Sequence, residues 1–98
     1  MAKWVLLTAL KLKPGTYDDW RKAWEPEEMP AGVHAYICRN VSDENDIVAF
    51  GMIEAPWEQI EAMRPSDEDE GARAAGMAPY IESVSTEGLY EVIDEVSG

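Results

Sequence analysis

In the stretch AGVHAYICRN at 31–40, the only histidine of the chain, one of its four tyrosines and its only cysteine fall on alternate positions. In an extended strand His34, Tyr36 and Cys38 then point to one side. An imidazole there can act as general base if a substrate proton comes within hydrogen-bond reach. The Tyr36 phenol can donate to a ligand carbonyl. His34 and Tyr36 are therefore the candidate catalytic residues. Each also has a structural reading: His34 donating to a neighbouring strand, and Tyr36 packed in a core or an interface with its hydroxyl satisfied. Cys38 has no evident base or helix N-terminus beside it to lower its pKa, so it reads as an inert thiol. A metal site built on His34 and Cys38 lacks two further ligands and is rejected.

The aromatic residues carry the stronger ligand signal. Trp20 and Trp24 stand four apart on one helical face, Trp57 opens a later helix, and Trp4 begins the first strand. Trp20, Trp24 and Trp57, with Tyr80 further on, can wall an apolar pocket for a flat molecule. The same rings can equally be the core of a small domain. Arg39, Arg64 and Arg73 are scarce cations that could meet a ligand anion, and for Arg39 an ion pair with Asp43 or Glu44 is the plainer expectation. The run DEDE at 67–70 lacks the alternating oxygen ligands and the glycine of a calcium loop, and reads as the acidic first turn of a helix. The sequence shows no glycine-rich phosphate cradle, nucleophile elbow or histidine pair.

Ninety-eight residues suit one domain, 1–98, with a modest core. A hydrophobic fraction of 46% argues for a folded chain. Eight basic residues against 20 acidic ones give a net charge of −12, which disfavours a nucleic-acid backbone or an anionic membrane surface as partner. A single cysteine rules out an internal disulfide. The apolar run from Trp4 to Leu10 is followed by Lys11 and Lys13 where a leader would carry small residues, so it reads as a strand and a cytoplasmic protein is expected. Nothing approaches the length of a membrane span.

The elements that position these residues follow from pattern. From Lys3 to Lys13 both alternating faces are apolar, which marks a central strand. KPGTYDDW then turns the chain: Pro-Gly bends it, Thr16 is placed to cap a helix, and Asp19 completes a capping box. Tyr17, Trp20 and Trp24 define the inner face of that helix, with Asp18, Arg21, Lys22 and Glu25 facing water. It ends near Trp24 or restarts through Glu28 after Pro26. GVHAYICRN and DIVAFGMIEA are the second and third strands, joined through VSDEN by a loop of four or five residues rather than a tight turn. Pro56 starts a helix over PWEQIEAMR, Pro65 breaks it, Ser66 caps DEDEGARAAG with Asp69 as box partner, and Gly76 closes that piece. MAPYIESVSTEG is a connector. GLYEVIDEV alternates as a last strand with an exposed side or an edge position. The order β-α-β-β-α-β is the ferredoxin-like split βαβ pattern: an antiparallel sheet, order 4-1-3-2, with helices on one face. The bare apolar face needs covering, and a second copy of the chain covers it, so a homodimer is expected.

The segments KPGTYDDWRKAWE, NVSDENDIVAFGMIE and PYIESVSTEGLYEVI together resemble the dimeric α+β barrel superfamily, in the neighbourhood of antibiotic-biosynthesis monooxygenase-like and related stress-responsive domains. The resemblance covers nearly the whole chain in length and element order, and its features are fold signatures rather than catalytic motifs. It implies two sheets packed face to face in a dimer and a ligand cavity between each sheet and its own helices. It also implies a choice of activities that includes cofactor-independent oxygenation. The haem-degrading branch would need a histidine in 56–76, and none is there. The expectation is therefore a protein without cofactor or metal that holds a small apolar or aromatic molecule. As a monooxygenase-like enzyme it would bind a phenolate-like substrate, with His34 or Tyr36 as base or donor and the tryptophans as walls. As a non-catalytic dimeric module it would only hold the ligand. The alternation further predicts that His34 and Tyr36 line the cavity beneath Trp20 and Trp24, with Val33, Ala35 and Ile37 packed between sheets.

Overall fold

The computed structural model describes residues 2–26, 29–64 and 67–98. Its strands are β1 (Lys3–Leu12), β2 (His34–Asn40), β3 (Asp43–Glu54) and β4 (Ile81–Glu91), and its helices are α1 (Tyr17–Trp24), α2 (Trp57–Met63) and α3 (Asp67–Met77), with one 3-10 turn at Ala78–Tyr80. The strands form a single antiparallel sheet in the order β2-β3-β1-β4, the ferredoxin-like arrangement. The doubly apolar β1 is central, as its composition requires.

Register assigns every side chain to a face, because directly opposed residues of antiparallel strands point the same way. Leu10 opposes Ile47, Thr8 opposes Ala49, and Ala49 opposes Ile37. Leu10, Leu12, Ile47 and Ala49 are buried with Trp20 of α1, while Tyr17, Trp24, Ile37, Met77, Tyr80 and Ile81 pack around them. This is the helix side. A second contact lies under α2, where Ala55 and Ile60 are buried and the Trp4 indole N–H donates to the Ala55 carbonyl at 2.9 Å. Between the two, the helices leave a gap. Leu6 belongs to the helix side of the central strand yet is 59% exposed.

The opposite face is built from Val5, Leu7 and Ala9 of β1 and their partners Met52, Phe50 and Val48 of β3. His34, Tyr36 and Cys38 oppose Met52, Phe50 and Val48 in turn, so the alternating row of β2 lies on this open face. Tyr36 stacks on Phe50 with ring centroids 5.3 Å apart. The expectation that this row looks toward the helices is corrected for a physical reason: Ile37 is the β2 residue that continues the Leu10–Ile47–Ala49 core, and its odd-numbered neighbours follow it.

Several local expectations are also corrected. The hairpin between β2 and β3 is a tight turn at Val41 and Ser42, with Asn40 opposite Asp43. The Asn40 side-chain oxygen accepts from the Ser42 amide at 2.8 Å, and its amide group donates to Asp46 at 2.9 Å. The polar residues at 43–45 extend β3 beyond the last pairing with β1, Lys11 opposite Asp46. Thr16 does precede α1 but makes no side-chain cap; its hydroxyl donates to the carbonyls of Lys13 at 2.6 Å and Tyr80 at 3.2 Å, tying the turn to the 3-10 segment. Gly15 in that turn has φ of +76°, a conformation suited to glycine. α1 ends at Trp24, and α3 runs through Gly76 to Met77. Most of the expected connector is strand: β4 starts at Ile81 and follows β1 through two register shifts, and it stops at Glu91 instead of continuing to Val96. The proposed break at Pro65, the Ser66 cap and the helix restart through Glu28 lie outside the described residues.

Candidate functional site

Tyr17, Arg21 and Trp24 recur at i, i+4 and i+7 on α1, which brings them onto one face of the helix. That face borders a cleft of about 440 Å³. The cleft is also bordered by Val33, His34, Ala35 and Ile37 at and just before the start of β2, and by Glu25 and Met29. Ala35 opposes Gly51, which opposes Leu6, which opposes Leu89. The cleft thus stands at one end of a row of small and apolar residues that crosses the helix side of the sheet through the exposed Leu6.

The rings around the cleft are held by their neighbours. Trp20 is fully buried and touches both Tyr17 and Trp24, with centroids at 5.9 and 6.4 Å. The Arg21 guanidinium lies 5.1 Å from the centroid of the Trp24 ring and is ion-paired with Glu25. Arg73, reaching across from α3, lies 5.3 Å from the same ring. Its Nε donates to the Trp24 carbonyl at 2.9 Å and its Nη2 donates to the same oxygen. This carbonyl belongs to the last turn of α1, where a cation also meets the negative end of the helix dipole. Burial draws the Arg73 pKa below its ordinary value, opposed by Glu70, and the group stays charged.

A smaller cleft of about 200 Å³ adjoins on the other side of Tyr17 and is bordered by Gly15, Asp18, Arg39, Glu44 and Asn45. Here the Arg39 guanidinium lies 5.5 Å from the Tyr17 ring centroid. The expected ion pair of Arg39 with Asp43 or Glu44 is not found among the described residues. Asp43 instead meets Lys11 at 3.3 Å, and the Asn45 amide together with Lys11 holds the Asp43 carboxyl below its usual range.

The structure separates the residues that the sequence grouped. Trp24 and His34 both border the main cleft. Tyr36 does not: it is stacked on Phe50 on the open face, the side that His34 shares by register. Trp20 is core beneath the cleft. Trp57 packs on Trp4 at 5.2 Å, and Tyr80 packs against the main core. Val33, Ala35 and Ile37, expected between sheets, border the cleft instead. Arg21 was assigned to water from its charge, yet its spacing from Tyr17 already placed it on the ring-bearing face. Among the described residues, no group of three or more His, Cys, Asp or Glu is placed to hold a metal ion. No described helix is long and apolar enough to cross a membrane.

This architecture is matched in solved structures. A candidate antibiotic biosynthesis monooxygenase from Bordetella bronchiseptica superposes with a TM-score of 0.66 over 98% of this chain and 100% of its own, at 12% identity. Another, from Chloroflexus aurantiacus J-10-fl, gives 0.60 over 98% of this chain and 96% of that one, at 17% identity. The fold is that of the antibiotic biosynthesis monooxygenase-like proteins. No family model matches the chain, and no curated protein matches its sequence. At these identities the monooxygenase-like likeness is one of fold.

Proposed function

We propose that this protein is a small-molecule-binding protein whose helix-side cleft takes an apolar or aromatic ligand and whose open sheet face is covered by a second copy of the chain. The observation that carries the ligand reading is the cleft bordered by Tyr17, Trp24 and Ala35, next to an uncovered Leu6 on the helix side. A flat ring there would bury apolar surface against rigid aromatic walls. The open face supports the second copy, because Tyr36, Met52 and Tyr90 remain 54%, 37% and 47% exposed around Phe50 and Leu7. Its register positions carry charge mainly at the two ends, Lys3 with Glu54 and Lys11 with Asp46. The middle of the face can therefore pack against a second copy without bringing charged side chains into apolar contact.

The test is ligand-observed NMR with a set of small ring compounds. Compounds that bind the wild type should lose affinity on Ala35→Phe, which fills the cleft floor, and on Trp24→Ala. Binding that ignores both substitutions would remove the cleft from the function.

A monooxygenase-like activity is the second reading, favoured by the fold of the two solved structures. It assigns the base to His34, which shares the Tyr36 side of β2 by register but, as the first residue of the strand, borders the cleft at its rim. Oxygen uptake with a phenolic ligand found in the screen should then fall on His34→Ala while binding persists. Uptake that is unchanged in the variant would leave the binding role alone.

A further inference from the structure

The segment that follows β4 is patterned as a strand and finds no strand to pair with. Its alternation runs through Val96, yet β1 begins only at Lys3. The last backbone bond between them goes from the Val92 amide to the Lys3 carbonyl at 2.9 Å. Beyond that bond Ile93 and Val96 are 89% and 90% exposed. The segment is tied to the open side of the sheet. Lys3 belongs to that face by register, and its ammonium meets the Glu95 carboxylate at 3.0 Å.

The pairing also relates this segment to the opposite edge of the sheet. Glu91 opposes Trp4, while His34 opposes Met52, which opposes Val5. The end of β4 and the start of β2 therefore lie at the same end of the sheet, on its two edges. When two open faces stack about a two-fold axis along the strands, the order β2-β3-β1-β4 sets β4 of one copy over β2 of the other. An axis across the strands would set β4 on β4 and gather Glu82, Glu87 and Glu91 of both copies along one edge. Residues 29–40 carry no carboxylate and include His34 and Arg39. They can receive a segment containing Asp94 and Glu95 without like-charge contact.

We propose that residues 92–96 of each copy dock on residues 29–35 of a second copy, with Ile93 and Val96 buried in the contact. This rests on the proposed second copy at the open face and names the segment that reaches across to it. Met29, Val33, His34 and Ala35 border the main cleft, so the segment of one copy adjoins the cleft mouth of the other.

The test is made on the full chain, with isotope-filtered NOE spectra of a mixture of labelled and unlabelled copies and with sedimentation over a dilution series. The methyl groups of Ile93 and Val96 should show contacts across the copies to Met29, Val33 or Ala35. Ile93→Ser combined with Val96→Ser should raise the dimer dissociation constant about tenfold or more, the scale of withdrawing two aliphatic side chains from a contact. Both side chains are exposed within one chain, so the variant keeps its own core. A dimer whose copies touch through Tyr36 and Phe50 but not through Ile93 and Val96 would overturn the docking while the second copy stayed. So would a variant that dimerises as tightly as the wild type. A wild type that is monomeric throughout the dilution series would remove the second copy, and the docking with it.

Discussion

At the scale of single residues, the division of labour among the tryptophans is the main finding. Trp20 is fully buried and joins α1 to Leu10, Leu12, Ile47 and Ala49. Trp20→Ala should cost about 3–5 kcal/mol, as for other buried aromatic truncations. Denaturant melts check this, and a loss comparable with a surface substitution would contradict the core assignment. Trp24 sits four residues on, on the cleft. Its replacement by alanine should cost less stability and more ligand affinity. Sequence spacing placed both on one helical face but could not tell which ring the sheet would cover, since that depends on where β2 crosses beneath α1. The same ambiguity governs His34, Tyr36 and Cys38. Alternation showed that they share a side, and only the pairing of Ile37 with Ala49 decided which. Their polar types pointed to a cavity, whereas the open face satisfies them by exposure and by the Tyr36–Phe50 stack.

At the scale of elements, the strand order and the central place of β1 were legible because apolar residues on both faces demand neighbours on both sides. The ends of β3 and β4 were not. Asp43, Glu44 and Asn45 look like loop residues, but the side chain of Asn40 closes a tight turn that lets them extend β3 past its pairing with β1. β4 begins within a segment whose polar residues and register shifts hide its period. The extended end of β3 carries the Lys11–Asp43 pair. The Asn45 amide and Lys11 lower the folded pKa of Asp43, so its contribution is present above the ordinary carboxyl value and is lost as pH falls through the lowered one. Asp43→Asn should therefore lower the melting temperature by a constant amount between about pH 5 and 8, and the difference should vanish on strong acidification. A difference that grows as pH falls would carry the wrong sign.

At the scale of the whole molecule, the two faces of the sheet differ: the helix side holds the cleft, and the open side is the surface proposed to meet a second copy. Sedimentation at micromolar concentration should give about twice the 10.9 kDa chain mass. Phe50→Glu, at the centre of the open face, should give monomer while leaving the helix-side core intact. With a net charge of −12 on each chain, moderate salt should strengthen the association by screening repulsion between the copies. The uncovered apolar face was legible from the apolar character of both strand faces. The arginine contacts on Trp24 and Tyr17 were not, because Arg39 and Arg73 reach those rings through tertiary packing. The most direct measurement of the ligand claim is the indole N–H region of a proton–nitrogen correlation spectrum, assigned by single replacements, during titration with a ring compound that binds the wild type in the screen. The Trp24 signal should move with saturation, while those of Trp4, bonded to the Ala55 carbonyl, and Trp57 stay in place. Movement confined to Trp4 and Trp57, or no movement at all, would contradict the account.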